Sequence, residues 1–437
     1  RRRGQPDRRG IRLAAALTSL GPSFIKLGQT LSTRSDLFGT DVADDLAQLQ
    51  DRLAPFPSDI AFETIEAEFG KPIDALYASI EAKPVAAASI AQVHLAVTQD
   101  GREVAVKVLR PGIEAAFERD IAMMRWLATW AVRLAPKGRR LKPTEVVQAF
   151  ADTVRAEMDL RLEAAAASEL GENFRDEPMF NTPEIDWART GRRVLTLERV
   201  TGARVDDVAR LDAEGHDRHE IMRLAAQAFF RQVFEHGFFH ADMHPGNLFV
   251  RADGGLTVID FGIMGRLDRT TRDYLADMLL GMLTRDFELV ADVHFRAGYV
   301  PAHQSRAAFA QACRSIAEPI LGRPLHEISL GRLLQQLFQI TETFEMETQP
   351  QLLLLQKTLL MAEGMGRRLD PTVNMWTLAQ PLIEEWMRDH RGPEARIAGM
   401  IADMGDAAMR LPRTLARIER ALEETDLSGL ARRAAPA

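Results

Sequence analysis

An aspartate, an asparagine and a second aspartate occur at spacings that could hold a metal-bound nucleotide. Asp242 lies in a His-Ala-Asp segment, Asn247 follows five residues later, and Asp260 begins an Asp-Phe-Gly sequence. In this order, the first carboxylate can accept a proton while the amide and the second carboxylate supply oxygen ligands for Mg²⁺ on phosphate groups. The pattern predicts phosphoryl-transfer chemistry, with Asp242 as base and Asn247 and Asp260 as metal ligands.

The residues between these side chains predict a hairpin that brings the two metal ligands together. Apolar runs at 248–250 and 256–259 are separated by Asp-Gly-Gly at 253–255, a pattern typical of two antiparallel strands with a tight turn. Because Asn247 precedes the first run and Asp260 follows the second, their side chains should converge. Order and spacing together are those of a protein-kinase catalytic loop.

Three histidines in the same stretch offer an alternative, a zinc site. His236, His240 and His244 are four residues apart, and on one helix they would share a face. Gly237 and Pro245 interrupt such a helix, so the sequence favours the nucleotide interpretation.

Further upstream, apolar residues alternate with the period of a strand. Residues 84–97 and 103–108, with a turn at Asp100-Gly101, predict three antiparallel strands. Lys107 ends a Val-Ala-Val-Lys sequence, the pattern of the kinase strand whose lysine contacts phosphates. We therefore predict Lys107 as a nucleotide ligand, and an exposed strand lysine without such a role is the alternative.

The loop expected to cover the phosphates is rich in alanine where protein kinases have glycine. Alanine reaches positive φ only at a cost, so the loop should be stiff and offer few backbone N–H groups to phosphates. We expect tight nucleotide holding or slow hydrolysis in place of rapid transfer. The residues predicted to cover the nucleotide are Val85, Ala86, Ala87, Ala88, Ser89, Ile90, Ala91, Gln92 and Val93.

A predicted helix over 143–172 offers two carboxylates to hold the strand lysine, as such a site requires. Glu157 and Glu163 would lie about 240° apart at roughly 100° per residue, so only one can face Lys107. The other is available to a second cation, and Lys26 is the candidate.

Lys26 lies in an N-terminal region, residues 11–53, that has helical period with a break at Gly21-Pro22. Its neighbours Gly28 and Gln29 belong to a poorly apolar face, so the lysine could point at a carboxylate or a phosphate. The alternative is a surface helix packed closely at Gly28.

The other predicted elements frame the cleft. A helix should open with an N-cap at 57–59 and close at 69–72, and a second should span 113–135. A buried strand ends at Glu198, predicted as the hinge residue where adenine docks. A helix over 219–237 leads into the catalytic loop.

After Asp-Phe-Gly, the sequence enters a helix near 271–273 and stays helical to its end, which leaves no peptide-docking segment. An apolar stripe on a predicted helix over 397–404 could pack on the protein or meet a membrane or partner.

Composition limits the classes of function. The chain has 437 residues, enough for two or three domains or one two-lobed unit, and its formal net charge of −7 argues against nucleic acid as main partner. A single cysteine, Cys313, excludes an internal disulfide and fits a reducing compartment. No apolar run reaches the roughly 18 residues of a membrane span, so we expect a soluble or peripheral protein. The chain starts with Arg1 and shows no signal peptide, so we interpret it as a fragment whose missing ends could hold an anchor.

Taken together, these motifs resemble the UbiB family of atypical kinases over residues 20 to about 375. The tail segment 355–371 is similar to the bacterial ubiquinone-biosynthesis branch. Leu160 stands where an aromatic residue is frequent, and the C-terminal membrane-spanning pair of bacterial members is absent from this sequence. The motifs are Lys26-x-Gly28-Gln29, the alanine-rich loop running into Ser89–His94, Glu157-x-Asp159, His240–Asn247 and Asp260-Phe261-Gly262.

The resemblance implies an α+β, two-lobed kinase-like fold that is mainly helical. Residues 1–80 would be a helical extension with the Lys-x-Gly-Gln motif. Residues 81–200 would be an N-lobe with inserted helices and a small antiparallel sheet, and 201–437 a helical C-lobe. By resemblance, Glu163 pairs with Lys107. The motif of Lys26, Gly28 and Gln29 would fold over the site towards Glu157 and Asp159 and block peptide access, which makes these five residues regulatory.

In function, the resemblance implies binding and hydrolysis of ATP with Mg²⁺ in support of ubiquinone production. The expected partners are a phenolic or isoprenoid quinone precursor, other enzymes of the pathway and the membrane surface, with the protein peripheral on the cytoplasmic side of the bacterial inner membrane. The phosphoryl acceptor stays open between such a precursor, a protein and water. Two alternatives also stay open: a small-molecule kinase of the aminoglycoside or choline type, and a nucleotide-gated scaffold. No flavin fingerprint or iron-ligand set suggests oxidation chemistry.

Overall fold

The computed structural model describes most of the chain between residues 9 and 370. Contacts group the chain into one compact unit, Arg1–Gln380, and a second, Pro381–Ala437, and the helices and strands with described bounds all lie in the first. The described residues are 9–32, 54–134, 143–319, 340–346 without 342, and 350–370, with the isolated residues 42, 45, 46, 49, 381, 385 and 386.

The first half of this unit combines helices with an antiparallel sheet. The sheet has the order β1-β3-β4-β6, and β2 pairs with β3. The elements are α1 (Arg9–Leu20), α2 (Pro22–Ser32), α3 (Ser58–Phe69), α4 (Ile73–Leu76), β1 (Tyr77–Ile80), β2 (Ala86–Ala87), β3 (Ala91–Thr98), β4 (Glu103–Leu109), α5 (Ile113–Leu134), α6 (Pro143–Glu157), α7 (Leu160–Asn173), β5 (Phe180–Asn181), the 3₁₀ turn Trp187–Arg189 and β6 (Val194–Glu198).

Strand β4 shows how the sheet positions the functional lysine. Val104, Val106 and Val108 are buried in one apolar core with Ile65 of α3. Because side chains alternate across a strand, Lys107 lies on the opposite face, only partly buried. The valines thus fix the strand, and the lysine is left to face the cleft.

A second apolar core joins the helices of the first half. Phe117, Ile121 and Phe150, contributed by α5 and α6, are fully buried there together with Leu160 of α7. Helices α1 and α2 pack on the same core through Leu17 and Phe24. The N-terminal helices are therefore part of the packed body of the protein.

The second half is mainly helical, with two small sheets. One sheet has the order β5-β10-β9-β7, and the other pairs β11 with β8. The elements are β7 (Ala203–Arg204), α8 (Val208–Ala213), α9 (Arg218–Phe230), a π-helix (Arg231–His236), β8 (Phe238–His240), a 3₁₀ turn (Pro245–Asn247), β9 (Leu248–Val250), β10 (Leu256–Val258), β11 (Met264–Arg266), α10 (Arg269–Leu283), α11 (Phe287–Arg296), α12 (Arg306–Ala317) and α13 (Pro350–Leu369).

Gly237 allows the chain to turn from the π-helix into β8. Its φ is +63°, and an added Cβ would lie 2.5 Å from the carbonyl oxygen of Leu267. Left-handed backbone and close approach both favour glycine, so this residue fixes where the catalytic loop begins.

Several predicted elements are confirmed. The hairpin pairs Leu248 with Val258 in antiparallel register, and the break at Gly21-Pro22 separates α1 from α2. The helix after Asp-Phe-Gly starts at Arg269, so the connection is as short as expected.

Other predictions are wrong in detail. The helix predicted over 143–172 is two helices, α6 and α7, and Asp159 between them has extended backbone and caps α7. The capping prediction for α3 also fails, since Pro57 is the N-cap and no side chain caps the helix. The helix predicted over 219–237 changes to a π-helix at Arg231.

Among the described residues, no helix is long and apolar enough to cross a membrane. The predicted stripe at 397–404 lies outside the described residues, and the predicted domain boundaries stay predictions.

Candidate active site

Lys107 holds two carboxylates together at the centre of the cleft. Its Nζ donates to both oxygens of Glu163, at 2.7 and 2.9 Å, and to Oδ1 of Asp260 at 3.3 Å. Burial alone would lower the pKa of Lys107, but the charges of Asp260 and Glu163 outweigh it and raise the pKa above its ordinary value. The lysine is therefore a fixed cation between a helix carboxylate and a predicted metal ligand.

Asp260 adopts backbone geometry that few residues other than glycine adopt. Its φ is +65°, in the left-handed region that costs most residues energy and is frequent at functional sites. The Lys107 ammonium lowers the pKa of Asp260 below its ordinary value, against the effect of burial. The carboxylate is accordingly held in its ionised form, as a metal ligand must be.

His240 connects the catalytic loop to the Asp-Phe-Gly segment. Its Nδ1 accepts from the backbone N–H of Asp242 at 3.2 Å, and its Nε2 lies 2.8 Å from the carbonyl oxygen of Asp260. Burial lowers the pKa of this imidazole, so the neutral tautomer with the proton on Nε2 fits both contacts. The sequence pattern pointed to His240 as part of a motif and as a possible zinc ligand, and did not indicate this role.

Asn247 and Asp242 are joined within the loop. The Asn247 side-chain amide donates from Nδ2 to the carbonyl oxygen of Asp242 at 3.1 Å, which leaves the amide oxygen as the atom suited to a cation. The backbone N–H of Ile259 donates to the carbonyl of Asn247 at 2.9 Å. The hairpin thus brings Asn247 beside the chain that enters Asp260, as predicted.

These groups fit Mg²⁺, a cation implied by the site. It prefers oxygen ligands and takes few from the protein when phosphates supply the rest, and the ionised Asp260 and the oriented Asn247 offer such oxygens. Within the described part of the chain, no cluster of three histidine, cysteine or acidic side chains forms a metal site. The three histidines considered for zinc do not share a helix. His236 ends the π-helix, His240 lies in β8, and His244 caps the 3₁₀ turn.

The alanine-rich segment forms a short hairpin. Ala86 pairs with Val93 and Ala87 with Gln92, and the N–H of Ala88 donates to the carbonyl of Ala91 at 2.8 Å. This N–H is therefore engaged within the loop, in line with the expectation that few such groups are available to phosphates. Contact of the segment with nucleotide stays a prediction.

Two residues predicted to bind nucleotide have side chains engaged elsewhere. Gln92 is fully buried, and its amide oxygen accepts from the N–H of Phe56 at 3.0 Å. The carboxylate of Glu198 accepts from the N–H of Glu184 at 3.2 Å. Any contact of Gln92 with nucleotide would therefore involve its backbone, and the hinge role of Glu198 stays a prediction.

Lys26 pairs with the first of the two helix carboxylates. Its Nζ lies 2.7 Å from Oε2 of Glu157, and the two side chains are only 14% and 6% exposed. Gly28 packs so closely that an added Cβ would lie 2.3 Å from Leu49. Gln29 donates to the carbonyl of Leu49 at 3.2 Å. The close helix packing considered for Gly28 is thus present.

Asp159 does not turn towards Lys26. Its two carboxylate oxygens accept from Arg161 at 2.8 and 2.6 Å, and Oδ1 also accepts the N–H of Arg161. The hydrogen bond from Arg161 lowers the pKa of Asp159 below its ordinary value. Asp159 thus serves α7 as its cap, and Glu157 alone of the pair contacts the N-terminal lysine.

A lysine from far along the chain reaches the predicted base. Nζ of Lys357, in α13, donates to Oδ1 of Asp242 at 2.8 Å. Lys357 belongs to the tail segment 355–371, but the sequence indicates no role for it, because neither spacing nor period signals a contact over 115 residues.

Two family models match successive segments of the chain. Residues 48–294 match the ABC1 atypical kinase-like domain and residues 313–374 the UbiB helical domain. A probable protein kinase UbiB from Marinobacter nauticus is 46% identical over 90% of this chain and 72% of its own length. One from Azotobacter vinelandii is 43% identical over 97% of this chain and 79% of its own length.

A solved structure shares the fold. The Rv3197–erythromycin complex from Mycobacterium tuberculosis superposes with a TM-score of 0.60 at 24% identity, covering 85% of this chain and 95% of that one. The prediction of an α+β, two-lobed kinase-like fold is confirmed.

Proposed function

Because this chain belongs to the UbiB family of ABC1 atypical kinase-like proteins, we propose that it binds ATP with Mg²⁺ and transfers or hydrolyses the terminal phosphoryl group in support of ubiquinone biosynthesis. The observation that carries the proposal is the three-way contact of Lys107 with Glu163 and Asp260. A strand lysine that bonds to a helix glutamate beside an Asp-Phe-Gly aspartate is the arrangement that phosphoryl transfer from ATP requires.

Each residue has a part in this reaction. Lys107, oriented by Glu163, neutralises phosphate oxygens, and Asn247 and Asp260 hold the cation. Bound Mg²⁺ would neutralise charge on the phosphates and draw them into position. Asp242 accepts the proton of the attacking hydroxyl or water. His240 keeps the loop and the Asp-Phe-Gly segment in register through its two backbone contacts.

The acceptor we propose is a phenolic or isoprenoid quinone precursor, or water. The connection from Gly262 to α10 is only a few residues long and contains β11, so the long segment on which protein kinases dock peptides has no counterpart there. This favours a small acceptor over a protein. The membrane is the natural source of such an apolar precursor. We therefore also propose that the protein binds peripherally to the cytoplasmic side of the bacterial inner membrane, beside other enzymes of the pathway.

The test compares wild type with Asp242→Asn, and exposed Asp176→Asn is the matched control. We expect Asp242→Asn to keep ATP affinity by calorimetry and to lose turnover about 100-fold or more, since a positioned base contributes roughly 10²–10⁴ in rate. Asp176→Asn should behave as wild type. Quinone content in ubiquinone-deficient bacteria carrying each variant gives the cellular readout.

Other outcomes separate the alternatives. Full turnover by Asp242→Asn contradicts the assignment of the base. Normal quinone content with Asp242→Asn, together with ATP binding, favours the nucleotide-gated scaffold. A phosphorylated metabolite unrelated to quinones favours the small-molecule kinase.

A further inference from the structure

The helical domain contributes a charged side chain to the catalytic loop. Lys357 Nζ donates to Asp242 Oδ1 at 2.8 Å, and both side chains are about 30% exposed. The lysine belongs to the segment that matches the UbiB helical domain, whereas Asp242 belongs to the segment that matches the kinase-like domain. The contact therefore joins, at the predicted base, two segments that match different family models.

Packing of α13 fixes where this lysine lies. The helix contacts α9, which leads into the catalytic loop, and β11, which follows Asp-Phe-Gly. Its C-terminal end is tied to the start of α9, since Arg218 donates to the carbonyl of Leu369 at 3.3 Å. The buried side chains repeat at helical spacing and place Lys357 at the edge of the packed face. They are Leu355, Thr358, Ala362, Met365 and Leu369.

The catalytic loop has no cation of its own. Between His240 and Asn247 the sequence contains neither lysine nor arginine. The only titratable side chain between Asp242 and Asn247 is that of His244. Its Nδ1 accepts the N–H of Gly246 at 3.0 Å and so caps the 3₁₀ turn. Lys107 is engaged by Glu163 and Asp260. Among the described residues, Lys357 is the cation that contacts the base.

We propose that Lys357 is a positioning residue for phosphoryl transfer, so that the helical domain completes the active site. This inference rests on the proposed function. Four contacts orient Asp242. Its N–H donates to His240, and its carbonyl accepts from the side chain of Asn247 and from the backbone N–H of His244. Its Oδ1 accepts from Lys357. Oδ2 is then the oxygen that takes the proton.

Phosphoryl transfer needs no proton from Lys357. The acceptor hydroxyl gives its proton to Oδ2 of Asp242 while its oxygen bonds to the terminal phosphorus of ATP. The bond from that phosphorus to the bridging oxygen breaks, and ADP leaves with the electron pair. The lysine keeps its charge throughout and fixes which carboxylate oxygen faces the acceptor.

The first test separates rate from binding. We expect Lys357→Met to lower kcat by roughly 10- to 100-fold, part of the 10²–10⁴ that a positioned base contributes, with the calorimetric Kd for Mg-ATP within about twofold of wild type. Lys357→Arg keeps the charge and should recover part of kcat. Arg368→Met is the matched control, because it removes an exposed cation from the same helix about 16 Å further along, and it should leave kcat unchanged.

The second test asks whether the lysine acts through the aspartate. In the double variant Asp242→Asn/Lys357→Met, turnover should be no lower than in Asp242→Asn alone, because residues that act as a unit are not additive. Thermal unfolding of each variant shows that it is folded, and Lys357→Gln replaces Lys357→Met if the latter is not.

The outcomes distinguish the two proposals. Wild-type kcat in Lys357→Met, an increase in kcat, or multiplicative losses in the double variant would overturn the role of Lys357 and leave the proposed function standing. Lack of turnover by wild type, or full turnover by Asp242→Asn, would overturn the proposed function and this inference with it.

Discussion

Two glutamates six residues apart hold two lysines in different ways. Glu163 bonds to Lys107, which also reaches Asp260 at 3.3 Å. Glu157 bonds to Lys26, and that pair is nearly closed to solvent at 6% and 14% exposure. The first lysine is shared with a predicted metal ligand and lies where phosphates would arrive. The second ties an N-terminal helix to the helical core.

The break in the helix makes this division possible. On one continuous helix the two carboxylates would differ only by their angle about the axis. Asp159 ends α6 and caps α7, so each glutamate follows the direction of its own helix. We infer that the Glu163–Lys107 pair contributes to catalysis and that the Glu157–Lys26 pair holds the N-terminal helix in place. Four substitutions test that distinction.

Removal of the N-terminal lysine should have the largest effect on stability. Lys26→Met leaves Glu157 as a buried charge without this partner, which costs about 3 kcal/mol of the free energy of unfolding. Urea denaturation measures the loss, and exposed Lys71→Met is the control. ATP affinity should change less than about threefold. A stable Lys26→Met protein that fails to bind ATP would reverse the assignment of the two pairs.

Glu163→Gln should lower catalytic efficiency more than it lowers stability. Loss of the charge leaves Lys107 with Asp260 and frees it to shift from the phosphates. We expect kcat/KM for ATP to fall roughly thirtyfold, equivalent to about 2 kcal/mol. Glu169→Gln on the same helix removes an exposed pair with Arg266 and should change little, since such pairs contribute about 0–1 kcal/mol. Equal losses in both variants would contradict a special role for Glu163.

Asp159→Ala tests the helix break itself. Loss of an N-cap costs about 1 kcal/mol, whereas Asp159→Asn keeps a capping oxygen and should lose less. The pKa of Asp159 is lowered in the folded protein, so its charge contributes stability above its unfolded pKa of about 3.9. That contribution disappears as pH falls through the lower folded value. The difference in free energy of unfolding between wild type and Asp159→Ala should therefore become smaller below about pH 4. Urea denaturation at several pH values measures it.

Ala87→Gly should have the smallest effect of the four, and it should change only ATP affinity and turnover. Glycine increases the conformational entropy of the loop when it is not folded, by an amount worth about 0.4–1 kcal/mol of stability. We expect ATP to bind a few-fold more weakly and turnover to rise a few-fold, with the Lys26 pair unaffected. Calorimetry and an ATPase assay measure both quantities. Unchanged affinity and unchanged turnover would contradict the expectation that a stiff loop favours tight ATP binding and slow hydrolysis.

The sequence predicted those parts of the site that depend on local pattern. Alternation over 103–108 predicted the strand that carries Lys107, and the Asp-Gly-Gly turn predicted the hairpin beside Asn247. The helix break at Met158–Asp159 was missed because no glycine or proline marks it and buried apolar residues, Met158 and Leu160, flank Asp159 on both sides. Local period cannot show that a capping aspartate interrupts it.

Contacts that depend on tertiary packing were also missed. Gln92 occurs in the loop sequence expected to cover nucleotide, but its amide is used to satisfy a buried N–H of Phe56. Lys357 reaches Asp242 only because α13 packs on α9 and β11. The strand Tyr77–Ile80 was not predicted, since its four residues carry too short a pattern to separate from the preceding helix.

The position of Lys357 in the sequence has a consequence for synthesis of the protein. Lys107, Glu163 and Asp260 are all translated before it, and Asp260, the last of the three, precedes it by about a hundred residues. At roughly 5–20 residues per second, the ribosome needs about five to twenty seconds to cover that interval. During this time the growing chain already has its nucleotide ligands but lacks the lysine that orients the base. Under the proposed function, ATP would stabilise the nascent protein as a ligand before the complete chain turns it over.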